Sequence, residues 1–79
     1  MEIEWTETAL ADMAALDIAR RVKQSLERFA ETGLGNVKRL QGIDPPEFRF
    51  RDGDYRVRFH NKGGIVSVLC VRNRREAYR

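Results

Sequence analysis

The chain has 79 residues, a net charge of +3 at pH 7, one cysteine and one histidine. This length predicts a single domain, residues 1–79, with a small core. A lone cysteine excludes an internal disulfide, and one Cys with one His argues against a zinc site. No apolar run approaches the roughly 20 residues of a membrane-spanning helix, and the acidic N-terminus is unlike a signal peptide. We therefore expect a soluble, cytoplasmic protein that needs no metal and no cofactor.

The basic charge is concentrated in the second half of the chain. Residues 1–35 hold four Lys or Arg and seven Asp or Glu, a net charge of −3. Residues 36–79 hold eleven Lys or Arg and five Asp or Glu, a net charge of +6. A concentrated basic surface on a small domain is typical of proteins that bind polyanions. A solvated basic face without a partner would give the same count, so charge alone does not decide the function.

The first half of the chain predicts one strand followed by two helices. Residues 2–5 alternate in polarity, as a short strand does. Thr6 is placed to cap a helix that begins at Glu7 and ends near Leu16. Asp17 is expected to cap a second, amphipathic helix, which ends at the glycines that follow its apolar pattern. A very short turn between the two helices predicts an antiparallel pair.

The segment Phe48–His60 alternates aromatic or apolar residues with arginines around an Asp-Gly pair. This pattern predicts a β-hairpin with Asp52-Gly53 as its two-residue loop and Arg49 opposite Arg56. One face of the hairpin then carries Phe48, Phe50, Tyr55, Val57 and Phe59, and the other carries Arg49, Arg51, Arg56, Arg58 and His60. Like charges directly across a ladder destabilise it, so a face of arginines predicts an anionic ligand.

The remaining segments complete an α+β fold. Residues 36–46 connect the second helix to the hairpin, either as a short helical turn or as an extended run. After a turn at residues 61–64, residues 65–71 are almost wholly apolar, as in a central strand covered on both faces. We predict an N-terminal strand, a two-helix hairpin and then antiparallel strands, which form one sheet with the helices on one face. The opposite face is left to the arginines.

The candidate functional residues are basic or aromatic. The sequence contains no P-loop, dinucleotide-binding glycine motif, nucleophile elbow or metal-ligand spacing. The remaining candidates are Arg49, Arg51, Arg56, Arg58, His60, Arg72, Arg74, Arg75 and Tyr78. Arginine suits phosphate contacts but is a poor acid or base, whereas histidine titrates near neutral pH. The position of His60, at a strand end before a turn, favours a structural or surface role over a catalytic one, and Arg58 and Arg72 could be ordinary solvated edge residues.

Taken in order, these elements resemble the RelE/ParE toxin superfamily of type II toxin–antitoxin systems. The resemblance covers nearly the whole chain, and its most specific blocks are Gly53-Asp54-Tyr55-Arg56-Val57 and Arg74-Arg75-Glu76-Ala77-Tyr78. It implies the RelE-like microbial RNase fold and one of two activities. RelE-like members cut mRNA in the ribosomal decoding site without a metal, using the RNA's own 2′-hydroxyl as the nucleophile. ParE-like members inhibit DNA gyrase.

The resemblance also implies site residues. The positions that match the family's catalytic residues are Arg49, Arg51, Arg56, Arg74 and Tyr78. Because all five remain basic or Tyr, the RelE-like branch is favoured, an mRNA interferase that inhibits translation. The residues expected to bind RNA around them are Arg58, Arg72 and Arg75, and His60 is a candidate for proton transfer. The best-known RelE member has lysines where this chain has Arg49 and Arg51, which leaves the general base unassigned.

The partners that the resemblance implies are a cognate antitoxin, the ribosome and mRNA, with no membrane and no metal. Two alternatives stay open on the same fold. The first is a ParE-like inhibitor of DNA gyrase, which would act by binding and not by cleavage. The second is a catalytically inactive homologue that still binds its antitoxin.

Overall fold

The computed structural model describes residues 1–73, and residues 74–79 lie outside its described part. The elements in chain order are β1 (Glu2–Trp5), α1 (Glu7–Ala14), α2 (Ala19–Thr32), β2 (Asn36–Arg39), β3 (Phe48–Asp52), β4 (Tyr55–Lys62) and β5 (Ile65–Asn73). The strands form one sheet in the order β1-β5-β4-β3-β2, parallel between β1 and β5 and antiparallel elsewhere. The predicted α+β architecture is confirmed. The extended alternative for the connection after α2 is the one realised, as the edge strand β2.

Thr6 starts α1 and ties it to the sheet. Its Oγ1 accepts a hydrogen bond from the backbone N–H of Ala9 at 3.2 Å, which satisfies one of the orphan donors of the first helical turn. The same hydroxyl donates to the carbonyl oxygen of Val68 on β5 at 2.8 Å. The predicted cap is therefore confirmed, and it fixes the helix beside the central strand.

The start of α2 differs from the prediction. Its N-cap is Ile18, without a side-chain hydrogen bond, and Asp17 lies one residue outside the cap position. The apolar side chain of Ile18 packs against the core, which sets where the helix begins. Gly33 ends α2 with φ of 71°, and its N–H donates to the carbonyl of Phe29 at 2.7 Å. Neither helix in residues 1–73 is long and apolar enough to span a membrane.

The core lies between the helices and one face of the sheet. Its buried members from the helices are Ala9, Val22, Leu26 and Phe29, and those from the sheet are Phe50, Val57, Phe59, Val66, Val68 and Val71. The ring of Phe29 packs against Phe50 and Phe59, each with a centroid distance of 5.6 Å. The apolar side of the hairpin therefore packs against α2, and its basic side faces away from the core.

The β3–β4 hairpin is closed by Gly53-Asp54 and not by the predicted Asp52-Gly53. Gly53 has φ of 55°, and a type II′ turn needs such a positive φ at its first central residue only. The predicted loop would have placed Asp52 in the left-handed region, which costs energy for a residue with a Cβ. Asp52 instead pairs with Tyr55 and accepts a hydrogen bond from the Ser25 hydroxyl of α2 at 2.8 Å.

This turn shifts the pairing of the arginines. Arg49 lies opposite Arg58, and Arg51 lies opposite Arg56, so the predicted pairing of Arg49 with Arg56 is wrong. The shift moves one residue on each strand, which leaves every side chain on its predicted face. The separation into an apolar face and an arginine face is therefore confirmed, with two pairs of like charges across the ladder instead of one.

Candidate functional site

Basic side chains form two rows across the sheet face that points away from the core. From β2 to β5, the first row contains Asn36, Arg51, Arg56 and Arg72, and the second contains Lys38, Arg49, Arg58 and Cys70. We call the six cations of these rows the basic face: Lys38, Arg49, Arg51, Arg56, Arg58 and Arg72. Adjacent strands are about 4.8 Å apart, so neighbouring charges in a row are well inside the Debye length. Such a surface attracts anions.

Arg56 occupies the centre of the first row and is only 6% exposed. Its Nη1 donates to the carbonyl oxygens of Gly53 at 2.9 Å and Tyr55 at 3.1 Å. Within residues 1–73, its Nε has no hydrogen-bond partner and no carboxylate lies at ion-pair distance. Arg51 and Arg72 flank it on both neighbouring strands. A buried guanidinium between two like charges is costly, and an anion bound above it would offset that cost.

Asp12 of α1 engages the last arginine of the first row. Its Oδ2 accepts a hydrogen bond from the backbone N–H of Val71 at 2.9 Å and forms an ion pair with Nη1 of Arg72. Strand β1 ends at Trp5, opposite Val68, so the edge of β5 beyond that point has no strand partner on this side. Asp12 takes the place of the missing strand. Sequence reasoning missed it because 60 positions separate Asp12 from Arg72.

We expect Asp12→Ala to lower the free energy of unfolding by about 2 kcal/mol. The substitution leaves the Val71 N–H without its acceptor and Arg72 without this carboxylate. Urea denaturation followed by circular dichroism measures the change. Asp17→Ala is the control, because Asp17 is exposed and should change stability by less than about 0.5 kcal/mol. Equal stability of the two variants would show that the Asp12 contacts are dispensable.

Glu47 engages the second row in a similar way. Its Oε2 lies 2.6 Å from Nη2 of Arg58, an ion pair without regular hydrogen-bond geometry, and its Oε1 lies 3.8 Å from Nε2 of His60. Continuing the β3–β4 register by one position places Glu47 directly opposite His60. Arg58 is therefore held by an internal carboxylate and is not simply solvated. The alternation pattern contained this signal, since Glu47 shares its face with Arg49 and Arg51.

The two carboxylates divide the basic face into two parts. Arg58 and Arg72 each have an internal counter-charge. By contrast, Lys38, Arg49 and Arg51 have no carboxylate at ion-pair distance in the part of the chain that the structure describes. Lys38 and Arg51 are exposed, and Arg49 is half-buried. We call these three residues, together with Arg56, the open cations, because no carboxylate among the described residues lies at ion-pair distance from any of them.

The structure brings most of the predicted site residues together. Those on the outward face of the sheet are Arg49, Arg51, Arg56, Arg58, His60 and Arg72. The structure adds Lys38 to this face, a residue that the sequence analysis assigned to a connection. The predicted residues Arg74, Arg75 and Tyr78 lie outside the described residues. Their placement beside the basic face stays a prediction.

Cys70 ends the second row, where its environment disfavours the reactive thiolate. Burial raises the pKa of its thiol, although the charges of Arg72 and Arg58 act in the opposite direction. A half-buried thiol with a raised pKa stays protonated at neutral pH. Among residues 1–73, no group of three or more His, Cys, Asp or Glu side chains is arranged to hold a metal ion. The chemistry that the described cations of the basic face can supply is the binding and charge stabilisation of anions.

The chain matches a known family model along almost its whole length. The model is described as the ParE toxin of type II toxin–antitoxin system, parDE, and it matches residues 3–78. No curated protein matches the chain significantly. The family match includes both the described hairpin and most of the C-terminal segment beyond residue 73.

Solved toxin–antitoxin complexes contain chains of similar fold. The RelB–RelE antitoxin–toxin complex from Methanococcus jannaschii matches with a TM-score of 0.76 and 20% identity, over 95% of this chain and 94% of that chain. The archaeal RelE–RelB complex from Pyrococcus horikoshii OT3 matches with a TM-score of 0.71 and 21% identity, over 92% of this chain and 93% of that chain. The RelBE2 complex from Mycobacterium tuberculosis matches with a TM-score of 0.62 and 22% identity, over 92% of this chain and 96% of that chain. At these identities the similarity establishes a shared fold.

Proposed function

Because this chain belongs to the ParE toxin family of type II toxin–antitoxin systems, we propose that it is a RelE-like endonuclease that cuts mRNA on the ribosome. The observation that carries the proposal is the set of open cations. Arg49 and Arg51 lie beside the buried Arg56 on adjacent strands, and no internal carboxylate neutralises them among the described residues. Guanidinium groups match the phosphodiester of RNA in charge and in hydrogen-bond geometry.

Cleavage by the RNA's own 2′-hydroxyl fits these residues. The 2′-oxygen attacks the phosphorus, the bond to the 5′-oxygen breaks, and a 2′,3′-cyclic phosphate is left. Arg49, Arg51 and Arg56 would hold the scissile phosphate and stabilise the charge that develops on its oxygens, an effect of a few kcal/mol per well-placed donor. The resemblance to the family adds Arg74 to the same task. It gives Tyr78 the role of stacking on a splayed base.

We infer that a cognate antitoxin binds this chain and keeps it inactive. The neighbours of similar fold were solved as complexes of RelE with the antitoxin RelB. The open cations offer charge complementarity to an acidic segment as well as to RNA. Ribosomes and mRNA are the other partners of the proposed activity, which places the chain in the cytoplasm.

Inhibition of DNA gyrase is the second candidate, favoured by the matching family model, which carries the ParE name. Such an inhibitor would act by binding. Cleavage is preferred here because Arg49, Arg51 and Arg56 retain the donors that suit a phosphodiester.

Induction of the wild-type chain in growing cells separates these functions. If the proposal holds, mRNA is lost early and its fragments carry 2′,3′-cyclic phosphate ends, which sequencing of such ends detects. Intact mRNA with an induced DNA-damage response would establish the gyrase alternative instead. A soluble, folded chain that leaves growth unchanged would indicate an inactive homologue that only binds antitoxin.

A further inference from the structure

The open cations leave one chemical task unassigned. Arginine stays protonated at neutral pH, so it stabilises charge but cannot accept the proton of a 2′-hydroxyl. His60 is the one histidine in the chain, and it lies on the same sheet face, two residues along β4 from Arg58 of the second row. We propose that His60 accepts the 2′-hydroxyl proton and that Glu47 is the positioning residue that orients its imidazole, roles that depend on the RNA cleavage proposed above.

The position of Glu47 is fixed by its backbone and by its neighbours. Its carbonyl oxygen accepts a hydrogen bond from the N–H of Leu40 at 2.9 Å, which extends the β2–β3 ladder to this residue. Its side chain is 19% exposed, whereas that of His60 is 32% exposed, so the imidazole can be reached from solution. The 3.8 Å between Oε1 and Nε2 exceeds hydrogen-bond length. Catalytic hydrogen bonds are often this long before substrate binds.

Arg58 links this pair to the rest of the site. Its Nη2 lies 2.6 Å from Oε2 of Glu47, so the carboxylate is neutralised and does not repel an RNA phosphate. Within residues 1–73, both Oε2 of Glu47 and Nε of Arg58 are buried without a hydrogen-bond partner. The ion pair with Arg58 holds Oε2 of Glu47, and Oε1 of the same carboxylate is the oxygen that faces His60.

The proton balance follows from the geometry. A carboxylate facing Nε2 favours the tautomer with the proton on that nitrogen, which leaves Nδ1 as the acceptor. Nδ1 takes the 2′-hydroxyl proton as the 2′-oxygen bonds to phosphorus and the bond to the 5′-oxygen breaks. Water protonates the leaving 5′-oxygen, and the imidazolium returns its proton to the hydroxide formed, so no co-reactant is needed.

The charged groups around His60 come from strands β4 and β1 and from the β2–β3 connection. Glu47 precedes β3, Arg58 and Lys62 lie two positions away along β4, and Glu4 of β1 lies beyond Ser67 of β5 in the same cross-strand row. Glu4 is exposed and separated from His60 by one strand. It carries the same charge as Glu47 on the same sheet face, which makes Glu4→Gln a matched control.

The test compares single-turnover cleavage of mRNA on programmed ribosomes by the wild-type chain, His60→Gln, Glu47→Gln and Glu4→Gln. We expect His60→Gln to lower the rate about 10²-fold and to flatten its rise with pH. Glu47→Gln should lower the rate about tenfold through misorientation, and Glu4→Gln should leave it unchanged. Since the chain has one histidine, ¹⁵N spectra should show Nε2-protonated imidazole in the wild type and mixed tautomers in Glu47→Gln.

Each outcome bears on the proposal. A folded His60→Gln variant with the wild-type rate and pH profile overturns the proton-transfer role while leaving RNA cleavage in place. Unchanged tautomers in Glu47→Gln overturn the orienting role, whatever the rates show. A wild-type chain that cuts no RNA overturns the proposed function, and the role of His60 with it.

Discussion

Replacing Arg49 and Arg51 together with alanine should lower RNA cleavage by about 10³-fold or more and abolish growth arrest, while the chain stays folded. Each removed donor at a developing oxyanion lowers catalysis by about 10²–10³-fold in comparable sites. Both arginines are open cations, so no internal ion pair is broken. Their cross-strand neighbours Lys38, Arg58 and Arg56 are like charges, and removing repulsion does not weaken the sheet.

The control for this pair is Lys23→Ala with Arg28→Ala. Both residues are exposed on α2, so this double variant makes the same change in net charge away from the basic face. Single-turnover cleavage and the timing of growth arrest are measured for both double variants. Equal losses would mean that overall charge, and not position on the sheet, governs activity. A folded Arg49/Arg51 variant with full activity would remove the open cations from the site.

The faces of the sheet were predictable because alternation is a local property. Phe48 and Arg49 point to opposite sides whatever the hairpin register, so an error of one residue at the turn left the arginine face intact. Alternation does not determine the turn, because both Asp52-Gly53 and Gly53-Asp54 can serve as the two-residue loop. The place of Asp52 in β3, and not in the turn, depends on its contact with Ser25 of α2, which lies 27 positions away along the chain.

The counter-charges were less predictable than the cations. Asp12 reaches Arg72 only because β1 stops at Trp5 and leaves the edge of β5 for α1 to cover. No local pattern contains that information. The location of Glu47 on this face could have been predicted from alternation. The location of Lys38 could not be predicted without knowing that residues 36–39 pair with β3. The sequence therefore predicted that the arginines of the hairpin share one face, but not which of them are neutralised from within.

Arg56→Met should separate stability from activity. We expect RNA cleavage to fall by at least about 10²-fold, because the donor at the centre of the first row is lost. The free energy of unfolding should change by less than about 1 kcal/mol, or rise. The variant loses hydrogen bonds to the carbonyls of Gly53 and Tyr55, each with a net contribution of about 1 kcal/mol. It also removes a buried charge and its unsatisfied Nε, and a methionine side chain of similar length fills the space.

Urea denaturation and single-turnover cleavage by the folded variant measure the two quantities independently. Arg56→Lys is the comparison, since it keeps the charge but lacks the planar fork of donors, and it should recover only part of the activity. A loss of more than about 3 kcal/mol in Arg56→Met would instead assign Arg56 to the support of the β3–β4 turn. A stable but inactive variant has a different meaning. The fold then tolerates a buried, like-charged arginine because its anionic substrate requires one there.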